Sequence, residues 1–174
     1  MRIPAETVAV RRAVCLTLAL GGAAGLGACS SMVASLGGMV GLSLSRFPDW
    51  QSLVISAAPD ANRNSPTAVD IVFIREKALA EAMVSMPSSR WFATRRDLLR
   101  ASPQGLSVIS VEVVPRQSLR LTDSAWSNYK ALTCFLFADY PTPGEHRERL
   151  QLDNSGYVIE LGADGFKATD ASKS

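Results

Sequence analysis

Histidine is nearly missing from this 174-residue chain, which has a single one, His146. That excludes multi-histidine metal centres and any Ser-His-Asp arrangement not built on that one imidazole. Cysteine is scarce too: three residues cannot make the disulfide framework of a small secreted scaffold. Charge of one sign is also lacking. The formal net charge of +2 argues against a nucleic-acid binder, whose usual mark is a strongly basic face. The chain has no Gly-x-Ser-x-Gly, phosphate-loop, His-Glu-x-x-His or Cys-x-x-Cys pattern. What is present is apolar: hydrophobic residues make up 47% and charged residues 20%. That supports one packed domain of ordinary size and not a disordered chain.

Charge is absent locally as well, with no charged residue between Arg12 and Arg46. The run follows the positive group Arg2, Arg11 and Arg12. It continues through apolar Ala13–Leu20 and closes on the small residues Gly21–Ala28. This is the order of a secretory signal peptide. The stretch Leu26-Gly27-Ala28-Cys29 resembles the bacterial lipobox. That resemblance implies cleavage after residue 28, acylation of the Cys29 thiol, and, with Ser30 next, sorting to the outer membrane. An uncleaved membrane helix is the rival, since roughly 20 apolar residues span a bilayer. Gly21, Gly22, Gly25 and Gly27 oppose it, each costly inside a helix. Removing residues 1–28 takes away three basic residues and one acidic residue, leaving 15 of each. Cys134 then remains as the one cysteine not acylated. Its setting in Leu132-Thr-Cys-Phe-Leu-Phe137 predicts a buried, inert thiol.

Residues 29–46, rich in Ser, Gly and apolar groups, read as the lipidated end and a tether, or alternatively as a membrane-hugging stretch. A domain spans 47–174. Strand patterns occur at Trp50–Ala57, Ala68–Arg75, Leu106–Val114, Ser118–Thr122, Ala131–Ala138, Arg149–Leu152 and Tyr157–Leu161. The second of these is apolar on both faces, as a central strand requires. Between the second and third strands the period changes to helical. One helix is expected over Glu76–Met86, stopped by Pro87, and a second from a Ser88 or Ser89 cap to Ala101. The fold class expected is therefore mainly β: a two-sheet sandwich with a short helical insertion at about 76–101.

Asp60, Asn62 and Asn64 alternate like the first calcium ligands of a binding loop. Ser65 stands where the sharp turn needs Gly, and Ile71 where a bidentate Glu is needed. An Asx-rich turn is the better reading, and no metal or cofactor is expected. Cys134 and His146 form no expected catalytic pair, one lying in an apolar strand and the other in a charged loop. Arg90, Arg95, Arg96 and Arg100 read as a solvated helix face, with Trp91 and Phe92 packing into the core.

The order of these features resembles the TssJ family, the outer-membrane lipoproteins of type VI secretion systems. Matching pieces are Pro59-Asp60, Ser65-Pro66, Val69–Arg75, Asp97-Leu98-Leu99, Val113–Pro115 leading to Leu119–Thr122, and Phe135–Asp139 followed by Arg147-Glu-Arg149. Together they cover about residues 50–166. The family commonly has an Arg after the late apolar strand and a Trp in the next basic segment. This chain has Asp139-Tyr140 and no Trp there. The resemblance implies a transthyretin-like β-sandwich anchored by lipid at the periplasmic face of the outer membrane. It implies a non-catalytic role, holding the periplasmic domain of an inner-membrane partner, TssM. The contact implied is the loop Asp60, Ala61, Asn62, Arg63, Asn64 and Ser65. The alternatives are that this loop merely turns, that the chain is a lipid-tethered ligand-binding protein or enzyme, or that it serves another envelope assembly.

Overall fold

A computed structural model describes residues 45–171. Cys29, the leader and nearly all of the tether lie outside the described residues. Eight strands and two helices follow in order: β1 Ser52–Ala57, β2 Thr67–Ile74, α1 Lys77–Met83, α2 Ser88–Ala101, β3 Leu106–Val113, β4 Ser118–Thr122, β5 Thr133–Ala138, β6 Arg147–Leu150, β7 Gly156–Leu161 and β8 Phe166–Asp170. They form two four-stranded sheets, ordered β4-β1-β7-β8 and β3-β2-β5-β6. All pairings are antiparallel except β1 with β7, which run parallel. The expected two-sheet, mainly β architecture is therefore present.

Alternation along the strands explains how the sheets stack. Leu53, Ile55 and Ala57 of β1, Tyr157, Ile159 and Leu161 of β7, Val69, Ile71 and Phe73 of β2, and Cys134, Leu136 and Ala138 of β5 all enter one core between the sheets. Successive side chains in a strand point to opposite faces, so Val72, Ile74, Phe135 and Phe137 point out of the sandwich. They are buried because the helices lie on that face, forming a second core with Met83, Trp91 and Leu106. This third layer is why β2 and β5 read as continuous apolar runs. Trp91 stacks on Phe137 with ring centroids 5.1 Å apart.

The helical excursion leaves and rejoins the sheet at one place, because β2 and β3 are adjacent antiparallel neighbours. Arg75 closes its base with hydrogen bonds to the Gln104 carbonyl and to the Ser107 hydroxyl at 3.0 Å. Helix α1 is shorter than expected. Helix α2 matches its expected span, but neither serine caps it through a side chain. Pro87 takes the cap position, and the Ser88 hydroxyl donates to the Ala138 carbonyl of β5 at 2.7 Å instead. Strand β8 was not expected, because Phe166-Lys-Ala-Thr-Asp170 has only one large apolar residue. It is an edge strand with half-exposed side chains, and pairing with β7 suffices to hold it. Gly156 opens β7 where a Cβ would meet the Ser52 carbonyl oxygen at 2.2 Å, and its φ is +151°. Only glycine fits that close parallel pairing.

Candidate functional site

The strands give the sandwich two ends with different chemistry. The chain enters at one end, where the Arg46 and Ala131 backbones bond to each other in both directions. Below them a cluster of rings closes the core. Trp50 meets Trp126 and Tyr157 edge-on at 5.5 and 5.7 Å, and its indole N–H donates to the Gln151 carbonyl at 2.7 Å. The loop from Asp60 to Ser65 joins β1 to β2 at the opposite end. Eight residues of β2 at about 3.3 Å each put some 25 Å between the two ends.

The loop is held tightly rather than hanging free. Asn62, Arg63 and Asn64 are all left-handed, at φ of 46°, 54° and 63°. For residues with a Cβ this conformation costs roughly 1–2 kcal/mol each, least for Asn. The surroundings enforce it. The Asn62 amide donates to the Pro66 carbonyl at 2.8 Å, and its backbone N–H donates to the Gly162 carbonyl at 2.9 Å. Arg63 reaches across to Asp164 at 2.8 Å, in the turn between β7 and β8. Ala61 is buried in the sandwich core and Asn62 is only 6% exposed. These two residues of the expected contact loop therefore face inward and anchor it. Asp60, Arg63, Asn64 and Ser65 remain at the surface.

Other segments meet the loop at this end. Tyr140 donates its hydroxyl to the Gly162 carbonyl at 3.2 Å, and burial pushes that hydroxyl up to about 12. Thr142 donates to the Asp164 carbonyl at 3.1 Å. His146, left-handed at φ 42°, lies against the Tyr140 ring at 4.8 Å, and its Nε2 is 2.9 Å from the Thr142 carbonyl. That geometry makes Nε2 the protonated donor. Although it lies in a charged loop, His146 is half-buried and fastens the loop between β5 and β6. Val114, 45% exposed, and Arg116, at φ 67°, occupy the turn between β3 and β4 at the same end. Sequence reasoning missed Asp164, which pairs with Arg63, Thr142, which bonds Asp164, and the placing of Val114 and Arg116 at this end. Only the strand register brings these residues to the end that carries the loop.

Cys134 lies far from His146 along β5. It pairs in register with Leu150 near the end where the chain enters, and is fully buried. Burial pushes its thiol well above the ordinary range. The thiolate needed for nucleophilic chemistry is disfavoured there. Among the described residues no group of three His, Cys, Asp or Glu side chains could hold a metal ion.

The arginine-rich helix departs from its expected reading at one residue. Asp70 of β2 points to the helical face and is fully buried. Its Oδ2 accepts from the Trp91 indole at 2.8 Å and from Arg95 at 2.7 Å. Arg95 is 32% exposed and also lies 4.8 Å over the Phe92 ring. Arg95 is therefore a clamp holding α2 to the sheet, while Arg90, Arg96 and Arg100 stay exposed as expected.

No family model and no curated protein matches the chain. Its fold is similar to that of the type VI secretion lipoprotein TssJ1 from Pseudomonas aeruginosa, with 14% identity over 68% of this chain and 93% of that one, at a TM-score of 0.48. It is also similar to Lip from Serratia marcescens, described as a membrane-bound component of the type VI secretion system. There identity is 16% over 72% of this chain and 96% of that one, at a TM-score of 0.46. A third similar structure is the TssM C-terminal domain from EAEC, with 14% identity over 69% of this chain and 97% of that one, at a TM-score of 0.47.

Proposed function

We propose that the chain is a lipid-anchored protein of the outer membrane, facing the periplasm. It binds and tethers the periplasmic domain of a TssM-like inner-membrane partner, without catalysis. The observation that carries this reading is the polarity of the sandwich. The chain that would follow an acylated Cys29 enters the domain at Arg46, and the loop Asp60–Ser65 stands at the opposite end of the sandwich. A loop locked in a costly left-handed turn and cross-braced to its neighbours presents Arg63, Asn64 and Ser65 in one fixed geometry. Preorganisation of that kind lowers the ordering cost of binding. The lipobox resemblance and the matching pieces of the TssJ family support the same reading. The buried Cys134 and the structural bonding of His146 favour it over a thiol enzyme.

The test is recovery of the acylated protein from detergent-solubilised envelopes. We expect one inner-membrane protein with a large periplasmic domain to co-purify with it. Cys29→Ser should leave unprocessed precursor that no longer fractionates with the outer membrane. Normal maturation and fractionation of that variant would contradict the anchor, and recovery of no inner-membrane protein would contradict the tethering role.

A further inference from the structure

The end of the sandwich where the chain enters carries a feature the tethering role does not use. Large exposed hydrophobic side chains among the described residues are Phe47, Val84 and Val114. Val114 belongs to the loop end. Val84, 55% exposed, lines a furrow beside the point where the chain enters, and Phe47, 44% exposed, follows Arg46 of that furrow's narrow end in the chain. The furrow's wider part, about 450 Å³, runs between α1 and the β5–β6 edge over Ala80, Val84, Leu132 and Phe135. Its narrower part, about 160 Å³, shares Leu132, Thr133 and Arg149 with it and reaches Arg46.

The charged side chains in this furrow, and Lys130 beside Phe47 next to it, differ in how they are partnered. Arg46 is taken by Asp49, and Lys77 by Glu81 at 3.8 Å. Lys130 sits over the Phe47 ring at 5.1 Å, and Arg149 bonds only the Thr133 hydroxyl through Nε at 3.0 Å. Among the described residues neither of these two cations is in a salt bridge. Opposing them is Asp153 at the narrow end. Strand parity places Arg149 on the helical side of its sheet, facing the same furrow as Phe135.

We propose that this face rests on the bilayer, with Phe47 and Val84 entering the headgroup boundary and Lys130 and Arg149 meeting anionic phospholipid headgroups. Exposed apolar groups ringed by basic stems are the composition of an interfacial contact. Each cation near an anionic surface adds only a weak attraction, too little to bind alone. The inference rests on the proposed anchor. Cys29 and Arg46 are seventeen positions apart, so an acylated Cys29 would hold this end within at most about 60 Å of the membrane. At the resulting high effective concentration a weak contact is populated. Docking here would orient the sandwich upright, with the Asp60–Ser65 loop farthest from the lipid.

The test uses the acylated full-length protein in phosphatidylglycerol-containing vesicles with brominated acyl chains. Trp50, Trp91 and Trp126 are all buried, so a new exposed indole is read as the change beyond the wild-type chain. Phe47→Trp and Val84→Trp should each lose emission to the brominated lipid, and Val114→Trp, at the far end, should not. Adding Lys130→Glu to Phe47→Trp should reduce the loss. Flotation of the same samples reports the anchor separately. Flotation without extra quenching at 47 and 84, or with equal quenching at 114, would overturn the membrane contact while leaving the anchor intact. Failure to float would overturn the anchor and this inference together.

Discussion

Asp70 shows what single residues contribute and what the sequence hides. A lone carboxylate inside Ala68-Val-Asp-Ile-Val-Phe-Ile-Arg75 gives no sign of its partner, which lies 25 positions later on a helix. Only the packing of α2 over β2 joins them. The four helix arginines should consequently respond differently to truncation. Arg95→Ala strands a buried charge and should cost about 3 kcal/mol. Arg96→Ala and Arg100→Ala, both exposed, should stay within about 0.5 kcal/mol. Denaturant unfolding of the three variants separates these outcomes, and equal small effects would remove the clamp assigned to Asp70 and Arg95. Cys134, by contrast, was legible, because an apolar run around an unpaired cysteine predicts burial. Its thiol, raised by desolvation, should resist alkylation at mildly alkaline pH until the domain unfolds. Rapid modification of the native protein would contradict that burial.

Among the elements, β1 to β5 and β7 and both helices could be read from periodicity and turn residues, with shifts of a few residues at their ends. Strand β6 sits two positions earlier than expected, because Leu150, paired with Cys134, fills the core while Leu152 is buried in the following loop. Strand β8 was invisible because edge pairing, not apolar content, holds it. The loop was legible in composition but not in conformation. Its Asx residues signalled a turn, yet no pattern foretold three consecutive left-handed residues with Asn62 turned inward. Asn62→Ala should cost about 1–2 kcal/mol, since it removes the Pro66 hydrogen bond and leaves a Cβ residue less tolerant of that backbone. Asn64→Gly should be neutral or slightly stabilising, because glycine adopts φ 63° without penalty. Thermal melting measures both. A destabilising Asn64→Gly would mean the side chain, not the backbone, matters there. On the outer face of the second sheet, Trp91→Ala should cost about 3–5 kcal/mol through loss of its stack on Phe137.

The arrangement of the whole molecule ties these parts to a role. Strand direction places the incoming chain and its ring cluster at one end and the braced loop with its neighbouring turns at the other. That opposition follows from topology, which sequence reasoning gave only as a fold class. The central claim is that the loop end, and not the end where the chain enters, holds the periplasmic partner. Titrating the lipid-free protein with the periplasmic domain of the proposed TssM-like partner tests this directly, using Arg63→Ala with Ser65→Ala at the loop and Lys130→Ala with Asp153→Ala at the other end. The loop variant should melt like the wild type, because the Arg63–Asp164 pair is exposed and worth little. It should nevertheless bind at least about ten-fold more weakly, a loss of roughly 1.4 kcal/mol. The variant at the other end should bind unchanged. Undiminished affinity in the loop variant, or a loss confined to the Lys130 and Asp153 variant, would contradict the account.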